Sequence, residues 1–178
     1  TALHRKTGKT IWRNTEPKSH ESYASPLVAT VAGRTQLFLI GPVSTRSYDP
    51  DNGTMIWECD GPATYCAATV AFGKDVIFST GGHPQKVLLC IKADGSGDIT
   101  KTHVTWKSDK RAGYVPSPLY HDGLVYAVGD RGRTRCYDAE SGKVIWEHRF
   151  ADPFYSSPLL VGDRIYLFDR AGNGYVIK

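Results

Sequence analysis

The residues of this 178-residue chain that could do acid–base, nucleophilic or metal chemistry are six histidines, four cysteines and eighteen carboxylates. None falls into a spacing that such chemistry uses. The histidines, among them His20, His83 and His103, are dispersed. No pair has the spacing of a zinc helix, and none is joined in a motif to a nucleophile and an acid. Each reads as a solvated or hydrogen-bonded imidazole. Cys59, Cys66, Cys90 and Cys136 contain no CxxC pair and no His at zinc spacing. Cys90 and Cys136 lie in apolar runs, where a thiol behaves as a small hydrophobe, while Cys59 and Cys66 flank one loop and could form a disulfide. Asp94, Ser96 and Asp98 alternate oxygens like the opening of a calcium loop. However, Thr105 and Trp106 stand where such a loop needs a bidentate Glu, so the segment reads as a Gly-rich turn capped by Asp and Thr. The serines that precede prolines, Ser25, Ser117 and Ser157, sit at strand starts and read as partners of the backbone rather than nucleophiles. No catalytic residue, cofactor ligand or metal ligand is assigned.

The elements that must position these residues repeat. Trp12, Trp57, Trp106 and Trp146 each end a strand-like run, at spacings of 45, 49 and 40 residues. Two of them close near-copies, Tyr48-Asp49-Pro50-Asp51-Asn52-Gly53-Thr54-Met55-Ile56-Trp57 and Tyr137-Asp138-Ala139-Glu140-Ser141-Gly142-Lys143-Val144-Ile145-Trp146. Leu3 to Trp12 is a third copy, with His4 in the Asp position. Gly8, Gly53 and Gly142 supply the positive φ that a tight turn demands. Each unit reads as four short strands. In the third these are 115–121, 124–129, 134–138 and 143–150, and Asp122-Gly123 is a hairpin signal between the first two. A period of this length made of short strands is the mark of propeller blades. The expected fold is an all-β propeller of four-stranded antiparallel blades. The units are 13–58, 59–107, 108–150 and 151–178, with 1–12 as a closing strand. About four blades fit in the chain, read as part of a ring of seven or eight.

Composition agrees with one β domain: Gly and Pro are plentiful, Met occurs once, and no segment carries a helical period. The net charge of +4 comes from basic residues scattered among acids, with no block suited to nucleic acid or an anionic membrane. No apolar run has transmembrane length and no signal-peptide pattern opens the chain, which starts inside a repeat and reads as an excised or processed piece.

The Asp/His-x-x-x-Gly-x-x-x-Trp segments, with Ser25-Pro26, Ser117-Pro118 and Ser157-Pro158 heading the strands that follow, resemble the pyrroloquinoline-quinone-like (PQQ-like) β-propeller repeat. The long turn from Lys92 to Trp106 resembles that of PQQ-like repeat proteins of planctomycetes and related bacteria. The family includes quinoprotein dehydrogenases and the outer-membrane assembly lipoprotein of Gram-negative bacteria. In it the tryptophans dock successive blades, a role the resemblance carries onto Trp12, Trp57 and Trp146 with their turn glycines. Trp106 is grouped with them but closes a lengthened turn, so it departs from the pattern. A quinoprotein dehydrogenase needs a catalytic Asp, a calcium site and, in many members, adjacent cysteines, and this chain matches no such set. PQQ with calcium enters only if the chain is a fragment of such an enzyme.

The surface that a propeller offers for binding is the ring of loops around its axis. Each loop entering an inner strand here carries a tyrosine, Tyr23, Tyr65, Tyr114 and Tyr155. His20, Glu21, Arg111 and Phe154 stand near them, with His83, Arg131 and Arg170 on the facing turns. A rim of Tyr, Arg and His suits partner or ligand binding, although in a small propeller such tyrosines also serve to plug the channel. The sequence therefore reads as a non-catalytic scaffold of a larger bacterial protein of the periplasm or cell envelope. Such a scaffold presents its funnel to a protein, peptide or glycan and has the remaining blades or a second copy as structural partner. A quinoprotein fragment, an outer-membrane assembly factor and the sensor part of a serine/threonine kinase are the alternatives.

Overall fold

A computed structural model describes residues 1–15, 22–110 and 112–178. A short N-terminal ribbon pairs β1 (Ala2–Leu3) with β2 (Thr10–Trp12). The first blade holds β3 (Leu27–Val31), β4 (Arg34–Ile40), β5 (Ser44–Tyr48) and β6 (Met55–Asp60). The second holds β7 (Ala71–Phe72), β8 (Val76–Gly81) and β9 (Val87–Lys92); after β10 (Gly97–Asp98) its outer strand β11 (Val104–Ser108) returns to β9. β12 (Leu119–His121), β13 (Leu124–Val128), β14 (Arg133–Asp138) and β15 (Val144–Arg149) form the third blade, in the order β12-β13-β14-β15. The fourth has three strands, β16 (Leu159–Val161), β17 (Arg164–Phe168) and β18 (Gly174–Ile177). The all-β propeller expected from the repeat is the fold observed. The hairpin signals act locally as read: Asp122 and Gly123 take φ of +45° and +75°, the paired positive values of a two-residue turn.

Strand alternation divides each blade into two faces, and successive blades bury those faces against each other. Phe38, Ile40 and Trp57 of the first blade meet Ile77, Leu89 and Ile91 of the second. Phe78, Leu88 and Cys90 then meet Val125, Ala127 and Tyr137, and Val128 meets Phe154, Ile165 and Leu167. The inner strands are tied as well. Thr69 donates its hydroxyl to Ser25 O at 2.7 Å and its N–H to Ser117 Oγ at 2.9 Å, and Ser117 N–H reaches Ser157 Oγ at 2.9 Å. The Ser-Pro serines are thus rungs of a ladder from blade to blade, and Thr69 fills the place in the second unit, which lacks Ser-Pro.

The turns that carry the motif are tied by their first residue. Asp138 Oδ1 accepts Ser141 N–H at 2.7 Å, and Asp49 does the same for Asp51 N–H at 2.8 Å. His4 makes the equivalent contact, with Nδ1 3.1 Å from Thr7 Oγ1.

Three expectations differ from what the structure shows, those for residues 1–12, Trp106 and Trp146. Residues 1–12 do not complete the fourth blade, since β2 pairs β1 and the fourth sheet stays three-stranded. Trp12 and Trp106 each lie over a turn glycine. Trp12 Nε1 donates to Pro50 O and Trp106 Nε1 to Ala139 O, both at 2.9 Å, and a Cβ added at Gly53 or Gly142 would run into the indole. Trp57, expected to dock successive blades, does so from inside: it is fully buried against the second blade and donates to Gln36 Oε1 at 2.9 Å. The reason is which turn each indole meets: the lengthened turn follows Trp57 around the ring, not Trp106, and Ile99 and His103 crowd its Gly95. Trp146 contacts Tyr126, with ring centroids 6.1 Å apart, and no turn glycine. Cys59 and Cys66 are separate buried thiols, and burial raises the pKa of each to about 11.

Candidate functional site: a basic groove

The long turn that looked like a calcium loop spends its oxygens on itself. Asp98 Oδ1 accepts Thr100 N–H at 2.9 Å and its hydroxyl at 2.6 Å, and those bonds hold the carboxyl below its usual pKa. The turn also reaches back to the first blade, where β10 lies parallel to β6 and Ile99 N–H donates to Glu58 O at 2.9 Å. Among the described residues no three His, Cys, Asp or Glu side chains converge to hold a metal ion.

The tyrosines expected to form one rim part into two kinds. Tyr65 and Tyr114 are half-buried: Tyr65 bridges His83 through the backbone, and the Tyr114 ring closes over Gly82. Tyr23 and Tyr155 are exposed, with the Arg170 guanidinium 4.5 Å above the Tyr155 ring. Phe154 is no rim residue, being wholly buried between the third and fourth blades, where Phe150 and Tyr175 enclose it. His20, Glu21 and Arg111 fall outside the described residues.

His83 and Arg131 come together in a groove of about 970 Å³ between the second and third blades. Six cationic side chains line it, Lys86, Lys107, Arg131, Arg133, Arg135 and Arg149, against two carboxylates, Asp109 and Asp130. Three elements bring them together. The β8–β9 loop supplies Lys86 and the end of β11 supplies Lys107. The third blade supplies the arginines, with Arg133 directly opposite Arg149 on neighbouring strands. Half of this charge is tied down. Lys86 pairs with Asp130, whose other oxygen accepts Tyr114 N–H at 2.8 Å and Val115 N–H at 3.0 Å. Arg135 pairs with Glu147 at 2.6 Å and also donates to Lys110 O, while Arg133 pairs with the second oxygen of Glu147. Burial works to raise the Glu147 pKa, but Arg135 and Arg133 outweigh it and hold the carboxyl below its usual value.

Arg131, Arg149 and Lys107 have no ion pair among the described residues and are exposed. The groove therefore presents three exposed cations beside three paired ones. Arg149, Lys107 and Lys86 are not legible as a group in the sequence because they lie on two separate strands and a loop. The period-two run Arg131, Arg133, Arg135 was the available signal, since alternate residues of a strand share a face.

Comparison with known proteins bears on both fold and family. Residues 99–177 match the family described as outer membrane protein assembly factor BamB. The crystal structure of BamB from Moraxella catarrhalis superposes with a TM-score of 0.70 at 14% identity, over 96% of this chain and 50% of that one. The computationally designed Ika4 protein also reaches 0.70, at 10% identity, over 96% of this chain and 98% of its own. The quinohemoprotein alcohol dehydrogenase ADHIIG from Pseudomonas putida HK5 gives 0.62 at 17% identity, over 92% of this chain and 30% of that one. Among curated proteins, lupanine 17-hydroxylase [cytochrome c] of Pseudomonas sp is 29% identical over 70 residues, which is 38% of this chain and 10% of that protein. The chain thus spans about half of BamB and a tenth of its curated relative.

Proposed function

We propose, from the premise that this chain is built of PQQ-like β-propeller repeats, that it is a non-catalytic scaffold whose basic groove binds an acidic segment of a protein partner. The observation that carries this reading is the excess of cations in the groove, where Arg131, Arg149 and Lys107 have no ion pair among the described residues. A guanidinium meets a carboxylate through two parallel N–H bonds, a contact about twice as strong as a neutral one. The ion pairs beneath fix the groove walls, so little ordering is needed on binding. Among the described residues the lining holds no Phe, Tyr or Trp, and His83 is its one aromatic ring, which favours an acidic peptide over a glycan or a single-stranded nucleic acid that needs a row of stacking rings. We assign the protein to the bacterial cell envelope, in keeping with the family that residues 99–177 match.

Fluorescence anisotropy with two labelled peptides, one of alternating Glu and Ser and one of alternating Gln and Ser, tests this. The Glu peptide is expected to bind roughly tenfold tighter or more. The Arg131→Ala/Arg149→Ala double variant is expected to lose that advantage at an unchanged melting temperature. Equal affinities for the two peptides, full binding by the variant, or tighter binding of an oligonucleotide would overturn the reading.

A second reading, part of a quinoprotein dehydrogenase, has one observation in its favour, the match to lupanine 17-hydroxylase. It requires calcium ligands that no cluster of three described His, Cys, Asp or Glu side chains supplies. Dye reduction on adding PQQ, calcium and an alcohol is the result it predicts.

A further inference from the structure

Successive blades here are joined by the same kinds of contact, and the two ends of the chain hold complementary halves of one more joint. The first contact is an indole over a turn glycine. Gly53 carries Trp12 and Gly142 carries Trp106, whereas an added Cβ at Gly8, in the same motif and at a similar φ of +69°, would meet nothing within 4 Å. Trp146 is the indole without such a glycine. The second contact is the inner-strand ladder. It runs from Ser25 to Ser157 and ends on Ser157 N–H at one end and the Ser25 hydroxyl at the other, neither with a bond among the described residues.

The third contact is face to face. Leu27, Phe38 and Trp57 stand in register across the first blade and are covered by the second. The same register in the fourth blade holds Leu159, Tyr166 and Val176, with Phe168 two residues along, and this face is open, Leu159 being 56% exposed and Phe168 47%. Its counterpart is the outer side of the first blade, an apolar groove of about 410 Å³ lined by Val28, Leu37 and Leu39.

We propose that two copies of this chain close one ring through two identical joints. In each, the fourth blade of one copy receives β2 and the first blade of the other. β2 pairs with β18 in the register its motif copies use. Cys136 faces Trp146 and Ser47 faces Trp57, so Val176 faces the Trp12 of the second copy, and Trp146 rests on that copy's Gly8. β1 holds this place on β2 within one chain, through two residues only, so β18 replaces it at small cost. Because each joint uses a different surface on each copy, the assembly must close or grow without limit.

Light scattering on a sizing column, at several concentrations of the 178-residue chain, tests this inference independently of the groove. The expected mass is twice 19.6 kDa. Trp146→Ala and Phe168→Glu, at partly buried and exposed positions, are expected to give the single-chain mass with an unchanged far-ultraviolet spectrum. The Arg131→Ala/Arg149→Ala variant is expected to stay double. A single-chain mass throughout, a mass beyond two copies, or a double mass that survives both joint variants would overturn it.

Discussion

The joint between the second and third blades and the joint between the first and second do one task by different means. In the former, Trp106 covers a glycine turn and satisfies its N–H on Ala139 O, leaving part of the ring in solvent. In the latter, the lengthened turn leaves no room on Gly95, and Trp57 goes inside instead. Its N–H and the Ser47 hydroxyl share Gln36 Oε1, at 2.9 and 2.7 Å, while Gln36 Nε2 donates to Val31 O and Ala93 O. One buried amide thereby uses both of its donors and both acceptor positions. The extra residues of the turn add β10 against the edge of β6, which shields an outer strand that the other blades leave open. A longer turn thus trades an exposed indole cap for a buried polar hub and a covered edge.

Substitution at the two tryptophans should separate the joints most clearly. Trp57→Ala empties a fully buried site and leaves Gln36 half-satisfied, so it is expected to cost about 5 kcal/mol, at the top of the range for large aromatic truncations. Trp106→Ala, at a partly exposed site, should cost about 3 kcal/mol by the same scale. Urea unfolding of both variants checks the order, and a costlier Trp106→Ala would reverse the comparison.

The turn glycines give a smaller effect. Gly142→Ala places a Cβ about 2.6 Å from the Trp106 ring at a φ of +69°, and Gly8→Ala meets the same φ with no neighbour. The first is expected to cost about 3 kcal/mol and the second about 1 kcal/mol, the backbone strain alone. Equal costs in the single-chain form would remove the indole contact from the account.

Smallest at neutral pH is the contribution of the thiols at the first joint. Burial raises Cys59 and Cys66 from 9.0 to about 11, so the folded state holds their protons more tightly than the unfolded chain. That stability is fully present below pH 9 and is lost as pH rises toward 11. A melting temperature that falls over this interval is the expected result, and one that stays level would place the thiols in contact with water.

Much of the fold was legible because the Gly-to-Trp motif recurs with few changes, and His4 or Thr69 can stand in for Asp or Ser by tying the same turn or the same pair of blades through a different bond. β10 was not legible, because its two residues carry no alternation and owe their pairing to where the long turn lands. Trp106 was set apart because its own turn is long, yet each indole meets the turn of the following blade, so the odd turn affects Trp57 and leaves Trp106 on Gly142. Phe154 looked like a rim residue from its loop, yet Phe150, which precedes it in the same connection, and Tyr175 of β18 enclose it. The groove was hidden in the same way. His83 and Arg131 were legible as facing turns, whereas Lys86, Lys107 and Arg149 converge only through blade packing.

The salt dependence of acidic-peptide binding by the unaltered chain tests the functional claim most directly. Three unpaired cations facing carboxylates predict an affinity that falls steeply between low and physiological salt, as screening shortens the reach of exposed charges. An affinity indifferent to salt, or one that rises with it, would mean that apolar contacts elsewhere hold the peptide, and would contradict the assignment of the groove.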